Sequence, residues 1–488
     1  MSNENKFAKL GIIYAIGQVL SKAISFILLP IYVNQLGMVG YGQLALVDTV
    51  LDFISSFTIV AIYSGYIRFY RDYEDSEREK LRNTALNFAF LMGLVSISIA
   101  LTLGKVVSSS IFNFENSHYV LLLVVCRSII SQLVILLMCE YSLNYRAGIT
   151  VTLNLANLLM NLMFTIVLVI LWSRGILGVY EGYIMSNLLL FVYLMIVKDS
   201  KYRVEMDLSM LKNMLKFSAG FIPSCMASTI LTLSDRYFLR NYRSLGETGI
   251  YSVGYKFGML IEPLFVSPFR QIFTPYKLQI WREKNAEEKF NAMFIKYHVL
   301  GCFVILGICI YSKAMISLLS TADSIVAYKI VPFVVISYFL YGMSIFYSLG
   351  IELKNKTYLD GLVMLAAGVV NIILNIILIP SMGMYGAALS TAISYIVMNI
   401  IYLKFSMPLY YIKYKFDVVF KVYGITFVLY LIYYLLSIFN IPILAELAIG
   451  VVLLMIYLIC CIYLNLIKKA DLLKYLMINK KVRGKNPD

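Results

Sequence analysis

Apolar runs of about 20 residues recur along this chain, and their recurrence limits the fold more than any motif does. A run of that length crosses a bilayer as a helix, because lipid offers no partner to backbone N–H and C=O groups. Of the 488 residues, 60% are hydrophobic and 14% charged, with a mean hydropathy of +0.80. A soluble domain of this length needs far less apolar surface. The expectation is an all-α polytopic membrane protein of about fourteen transmembrane helices. Their starts fall near Gly11, Gln43, Thr84, His118, Ile149, Leu177, Phe217, Gly249, Ala292, Tyr328, Leu359, Met384, Val418 and Ile441.

The second half of the chain restarts like the first. Lys9 to Val33 is an apolar run that breaks at Leu36-Gly37-x-x-Gly40-Tyr41. The run from Lys216 breaks at Leu245-Gly246-x-x-Gly249-Ile250-Tyr251, and both glycine offsets are 209. Asn157-x-x-x-Asn161 is matched by Asn371-x-x-x-Asn375, and Gly175-x-x-Gly178 by Gly383-x-x-Gly386. Two Asn at i and i+4 share a helix face, and Gly permits tight turns or close helix approach. These matches define two pseudo-symmetric six-helix lobes, 1–205 and 206–410, two further helices in 411–467 and a basic tail, 468–488. Six spans separate the copies, so both enter the membrane in the same direction, as in parallel-repeat transporters. A substrate path is expected at the seam between the halves.

The net charge of +15 would suggest nucleic acid in a soluble protein. Here the basic residues fall in every second loop: Arg68 to Arg82, Arg146, Lys198 to Lys212, Lys277 to Lys289, Lys354 with Lys356, Lys404 to Lys415, and the tail. The alternate loops are poor in them. That asymmetry is the positive-inside pattern; it places both termini in the cytoplasm and accounts for the charge without nucleic acid. The seven Cys sit in apolar runs without a CxxC pair, and two His are too few for a zinc site. No cofactor is implied.

Charge inside a span is costly and marks a cavity or a partner. Lys22, Arg127, Lys256, Arg270, Arg236 and Arg240 are the candidate substrate-binding bases. Asp48, Asp52, Asp235 and Glu262 are candidate coupling groups or charge partners, and the bland alternative is that they neutralise nearby bases for packing. Asp235 and Arg236 are expected near a membrane end, where snorkelling is easy. A net basic lining suits an amphiphile with a phosphorylated head. Pro223, Pro263, Pro268 and Pro275 read equally as hinges or static bends. The 39 Tyr suit interfacial belts or sugar stacking. No GxxxxGK[ST] and no nucleophile elbow occur, and no loop exceeds about 20 residues, so an enzyme is not expected.

The order Gly11-x-x-Tyr14, Leu29-Pro30-Ile31-Tyr32, Leu36-Gly37 and Tyr41-Gly42 resembles the start of bacterial O-antigen and capsule repeat-unit flippases. These belong to the multidrug/oligosaccharidyl-lipid/polysaccharide exporter superfamily. Ser234-Asp235-Arg236-Tyr237-Phe238-Leu239, Gly249-Ile250-Tyr251-Ser252, Lys356-Thr357 and Ile379-Pro380-x-x-Gly383-x-x-Gly386-Ala387-Ala388 extend the resemblance over about 1–470. It implies fourteen helices in two lobes around a V-shaped cavity in the cell inner membrane. It also implies translocation of undecaprenyl-pyrophosphate-linked oligosaccharide by alternating access, with a polysaccharide polymerase and a chain-length regulator as partners. By the same resemblance Lys22, Lys256 and Arg270, with Arg127, meet the pyrophosphate-sugar head. The second span departs from the family by offering Asp48 and Asp52 where relatives carry a base, which points to H+ or Na+ coupling. The alternatives are an ion-coupled small-molecule exporter of the same fold and, from another class, a membrane polysaccharide polymerase.

Overall fold

A computed structural model describes residues 3–112, 114–197, 202–356, 358–439, 442–464 and 466. Lys198, Lys201 and the basic tail 468–488 lie outside the described residues. The described chain is helical: α1 (Asn3–Phe69), α2 (Asp75–Ile111), α3 (Ser117–Leu143), α4 (Ala147–Thr165), α5 (Gly175–Val197), α6 (Leu208–Ala219), α7 (Ile222–Tyr242) and α8 (Leu245–Gly258). There follow α9 (Ser267–Ile280), α10 (Ala286–Leu319), α11 (Val331–Tyr347), α12 (Leu349–Leu353), α13 (Tyr358–Met382), α14 (Met384–Ser406), α15 (Phe416–Ser437) and α16 (Ile443–Tyr463).

By length and composition, eleven helical stretches can cross a membrane. One of them is α1, which Gly37 (φ 66°) divides into two segments at the predicted break. The others short of the expected fourteen are α7 and the broken rod α8–α9. α7 is long enough but carries Asp235, Arg236 and Arg240, while α8 and α9 are 14 residues each, with Lys256, Glu262 and Arg270 along the rod. Between α8 and α9 the helix widens into a π turn, Glu262–Val266, at Pro263. A proline has no N–H to donate and crowds the preceding turn, which the wider spacing relieves.

Two compact units emerge: Met1–Val253 with Leu319–Ser324 and Asp360–Ser394, and Gly254–Leu318 with Ile325–Leu359 and Tyr395–Asp488. Compactness thus cuts the chain differently from the sequence repeat.

In the first unit the linker between the repeats is fastened down. Asp207 caps α6 by accepting from the Ser209 and Met210 N–H groups (2.9 and 3.0 Å), and also pairs with Lys80 at 2.7 Å. Asn83 Nδ2 donates to Glu205 (3.1 Å), and Asn87 Nδ2 to the Glu205 carbonyl (2.8 Å). The α6 backbone presses on α1 at Gly65, where a Cβ would lie 2.5 Å from the Met214 carbonyl. Ser218 Oγ accepts from the Gly65 N–H at 2.8 Å. Beneath, Tyr66 and Leu137 are fully buried, and the Tyr66 hydroxyl donates to Glu140 at 2.7 Å. Arg82 approaches the same carboxylate at 3.6 Å, and both ions are largely buried.

The second unit is built on α10. Tyr297 on α10 donates to the Phe339 carbonyl, while Tyr433 and Tyr457 donate to the Ile310 and Val299 carbonyls, each at 2.8 Å. These bonds fix α15 and α16 to α10, and Glu446 adds bonds from Tyr433 (2.7 Å) and Lys313 (3.5 Å). Glu352 pairs with the buried Lys277 and accepts from Ser348 at 2.8 Å. Glu140 and Glu352 are 212 positions apart, so each repeat carries a paired carboxylate at an equivalent place.

Glu140→Ala leaves Arg82 buried without its carboxylate and is expected to cost about 3–5 kcal/mol, read as a loss of stability in detergent unfolding. Lys80 and the α6 N–H groups hold the Asp207 carboxyl below its ordinary range. A depressed carboxyl stabilises the attached linker above its unfolded value and loses that effect as pH falls through the folded one. Protease cleavage between Tyr202 and Asp207 is expected to be slow at neutral pH and to accelerate on acidification, with no such dependence in Asp207→Asn.

Candidate functional site

In the first unit, Asp48 and Asp52 lie one turn apart on the second segment of α1. Asp48 Oδ1 accepts from Arg127 on α3 (3.2 Å) and from the Tyr180 hydroxyl on α5 (3.0 Å). The Arg127 guanidinium lies 3.7 Å from the Tyr183 ring centroid and 5.5 Å from that of Tyr180. The ring faces draw the cation electrostatically, so Arg127 is held by aromatics and one carboxylate together. Its side chain is 17% exposed, and that of Asp48 is 47% exposed. Asp52, a turn further on, is exposed and within electrostatic reach of Arg127 and Arg236. Lys22 is exposed and forms no ion pair among the described residues.

Asp235 and Arg236 do not snorkel: they are 1% and 7% exposed. Asp235 accepts from the Tyr251 hydroxyl and, at 2.9 Å, from the Arg236 N–H. The Arg236 guanidinium sits 3.6 Å from the same carboxylate and donates to the Thr232 carbonyl at 3.2 Å. One residue back, Ser234 donates to Asn371 Oδ1 (3.1 Å), and Asn375 Nδ2 donates to the same oxygen (3.1 Å). Both Asn are fully buried, yet Asn371 Nδ2 and Asn375 Oδ1 have no partner among the described residues. The first repeat builds a similar node, with Asn157 Nδ2 on Asn187 Oδ1 at 3.2 Å and Thr165 on Asn161 at 3.4 Å. Unmatched buried amides are uncommon because burial removes their water. Sequence spacing marked these Asn pairs as a repeat signal, and their i, i+4 placement in apolar spans also flags a polar node.

Arg240 bonds the neighbouring Asn241 side chain, while Arg243 donates to the Ile379 carbonyl at 3.3 Å. The arginines of this helix end therefore take separate partners.

In the second unit, Lys256 is half-buried on α8 and Glu262 half-buried where the π turn begins. Arg270 on α9 lies over the Tyr341 ring, 5.1 Å from its centroid, and forms no ion pair among the described residues. Tyr341 in turn leans on Tyr395 (5.4 Å). The backbone around Tyr341 is fixed on both sides. Asn399 Nδ2 donates to the Leu340 carbonyl at 2.8 Å, and a Cβ at Gly342 would lie 2.2 Å from the Tyr297 hydroxyl. Arg270 is thus positioned by aromatic packing, with no ion pair to a carboxylate among the described residues.

A double-mutant cycle of Asp48→Asn with Arg127→Gln is expected to give a stability coupling of about 1 kcal/mol or less, because the carboxylate is half in contact with its surroundings.

Residues 7–281 match the polysaccharide biosynthesis protein family. No curated protein matches the chain in sequence. Among solved structures it is similar to the lipid II flippase MurJ in an inward closed conformation, at 16% identity, over 93% of this chain and 98% of that one, with a TM-score of 0.74. It is also similar to a multidrug resistance MATE family transporter of the MOP superfamily in an inward-facing conformation, at 12% identity, over 79% of this chain and 94% of that one, with a TM-score of 0.64. The expected superfamily fold is therefore present, and the chain belongs to the polysaccharide biosynthesis protein family.

Proposed function

We propose that this protein is a flippase that moves undecaprenyl-pyrophosphate-linked oligosaccharide repeat units across the bacterial inner membrane by alternating access, supplying O-antigen or capsule synthesis. The observation that carries the reading is Arg270: a half-buried guanidinium braced by Tyr341 that forms no ion pair among the described residues. Such a cation is expensive unless an anion visits it, and a pyrophosphate accepts several charge-assisted bonds at once. Family membership and the fold shared with a lipid II flippase support the same class of cargo.

On this reading Lys22, Arg127, Lys256 and Arg270, with Arg236 and Arg240, meet the pyrophosphate-sugar head, and the protein performs no covalent chemistry. Asp48, Asp52, Asp235 and Glu262 serve as charge partners or as the groups that couple transport to H+ or Na+. Both termini face the cytoplasm, the repeats 1–205 and 206–410 act as lobes, and a polymerase and chain-length regulator take over the product. A second reading, an ion-coupled exporter of small molecules, draws on the half-exposed Asp48 and on the fold shared with a multidrug transporter.

Deleting the gene is expected to strand lipid-linked repeat units on the cytoplasmic leaflet and remove surface polysaccharide; a deletion with normal polysaccharide sinks the first reading. Arg270→Ala is expected to slow transport about tenfold or more, since a bond to a charged group is worth about 1.5–3 kcal/mol. Arg270→Lys should recover part of the rate. Export of an organic cation with no loss of polysaccharide would favour the second reading.

A further inference from the structure

The linker between α14 and α15 alternates along its length. Tyr411, Lys413 and Lys415 are exposed, while Ile412 and Tyr414 between them are buried. A period of two is the pattern of an extended chain with one face against the protein. The inner face is fully engaged. Tyr410 donates to the Trp281 carbonyl (2.8 Å) and Tyr414 to the Phe346 carbonyl (2.7 Å). The Lys413 N–H donates to Glu287 Oε1 (3.0 Å), and the Lys415 N–H to Asn291 Oδ1 (2.9 Å). Asn291 Nδ2 returns a bond to the Lys413 carbonyl (3.0 Å). Two side chains of α10 thus hold the linker backbone and fix its course.

The outer face is basic and apolar together. Lys413 and Lys415 form no ion pair among the described residues. Two places apart on an extended chain, they share a side with about 7 Å between their Cα atoms. Two ammonium groups held this close repel each other, and an anion between them relieves the repulsion. The acids nearby are otherwise placed: Glu287 takes the Lys413 N–H, while Glu288 and Asp417 sit in the first turns of α10 and α15, where a helix start favours a carboxylate. Location names the kind of anion. Both α14 and α15, 23 and 22 residues long, are apolar enough to cross a membrane, so residues 407–415 lie at a membrane surface. Phe416 and Phe420 follow one turn apart on α15, with Phe420 68% exposed. Exposed phenylalanines beside exposed lysines suit an amphiphile, and a free phosphate ion has no use for them.

We propose that the α14–α15 linker is a binding site for an anionic phospholipid of the surrounding bilayer. Lys413 and Lys415 hold its phosphodiester, and Phe416 and Phe420 lie against its acyl chains. The site uses none of the residues assigned to the cargo and rests on the membrane-spanning reading alone. A lipid held there fastens the linker to the bilayer at the point where the α15–α16 hairpin begins.

The test uses the full chain, with Tyr411 replaced by photoreactive benzoylphenylalanine, in bilayer discs of equal parts phosphatidylglycerol and phosphatidylcholine. After irradiation, mass spectrometry is expected to find phosphatidylglycerol adducts in excess over phosphatidylcholine adducts. Two surface lysines favour an anionic headgroup about thirtyfold, and Lys413→Gln with Lys415→Gln is expected to remove most of the excess. Lys413→Arg with Lys415→Arg keeps both charges and should keep the excess. Raising the salt concentration should lower it. Lys105→Gln, at an exposed lysine of α2, should leave it unchanged. The photoreactive group at Phe420 serves if the Tyr411 variant does not fold. Equal adducts of the two lipids, an excess that survives the double glutamine variant, or an excess that Lys105→Gln also removes overturns the proposal. So does displacement of phosphatidylglycerol by added lipid-linked oligosaccharide, which would assign the linker to transport. The adducts are read without cargo, so failure of the flippase reading alone leaves this measurement standing.

Discussion

A polar group inside an apolar medium must find its partner within the protein, and this constraint organises the whole structure. It makes the chain helical, since a helix satisfies its own backbone. It also explains the use of tyrosine. Tyr297, Tyr433 and Tyr457 bury their rings and place their hydroxyls on carbonyls of neighbouring helices. Each supplies apolar area and a directional bond at once, which suits helix packing where lipid tails are as apolar as the protein interior. The abundance of tyrosine in the sequence invites thoughts of interfacial belts and sugar stacking; these tyrosines act as staples between helices.

The same constraint sorts the charges of the described helices into two kinds. Asp48 with Arg127, Asp235 with Arg236 and Tyr251, Glu140 with Arg82 and Tyr66, and Glu446 with Lys313 and Tyr433 are partnered groups. They fix helices relative to one another inside a unit, and removing one member leaves the other exposed to the full cost of burial. Arg270 is of the other kind: an aromatic ring holds its direction, and it forms no ion pair among the described residues. Candidate residues that look alike in a sequence therefore differ in what they can do for a visiting anion.

Much of the architecture is legible from residues alone. The apolar runs give the spans, and the break predicted at Leu36-Gly37 is where α1 bends. The paired Asn-x-x-x-Asn motifs are where the polar nodes of the two repeats lie. The site is less legible. Asp235 and Arg236 read as snorkelling residues at a helix end, because sequence position cannot reveal that Tyr251 comes back to cover the carboxylate. Glu140, Glu352 and Glu446 drew no attention in the sequence, because their partners are 58 or more positions away in Arg82, 75 away in Lys277 and 133 away in Lys313.

The sequence by itself determined the solvent, the helices and the twofold internal likeness, because hydropathy, helix length and repeat spacing are properties of neighbouring residues. Tertiary structure alone decided which charges are neutralised, which rings brace a cation and which glycines carry a contact. Those outcomes depend on side chains brought together from distant spans, and in an apolar medium the identity of the nearest partner sets whether a charge is structural or free to act.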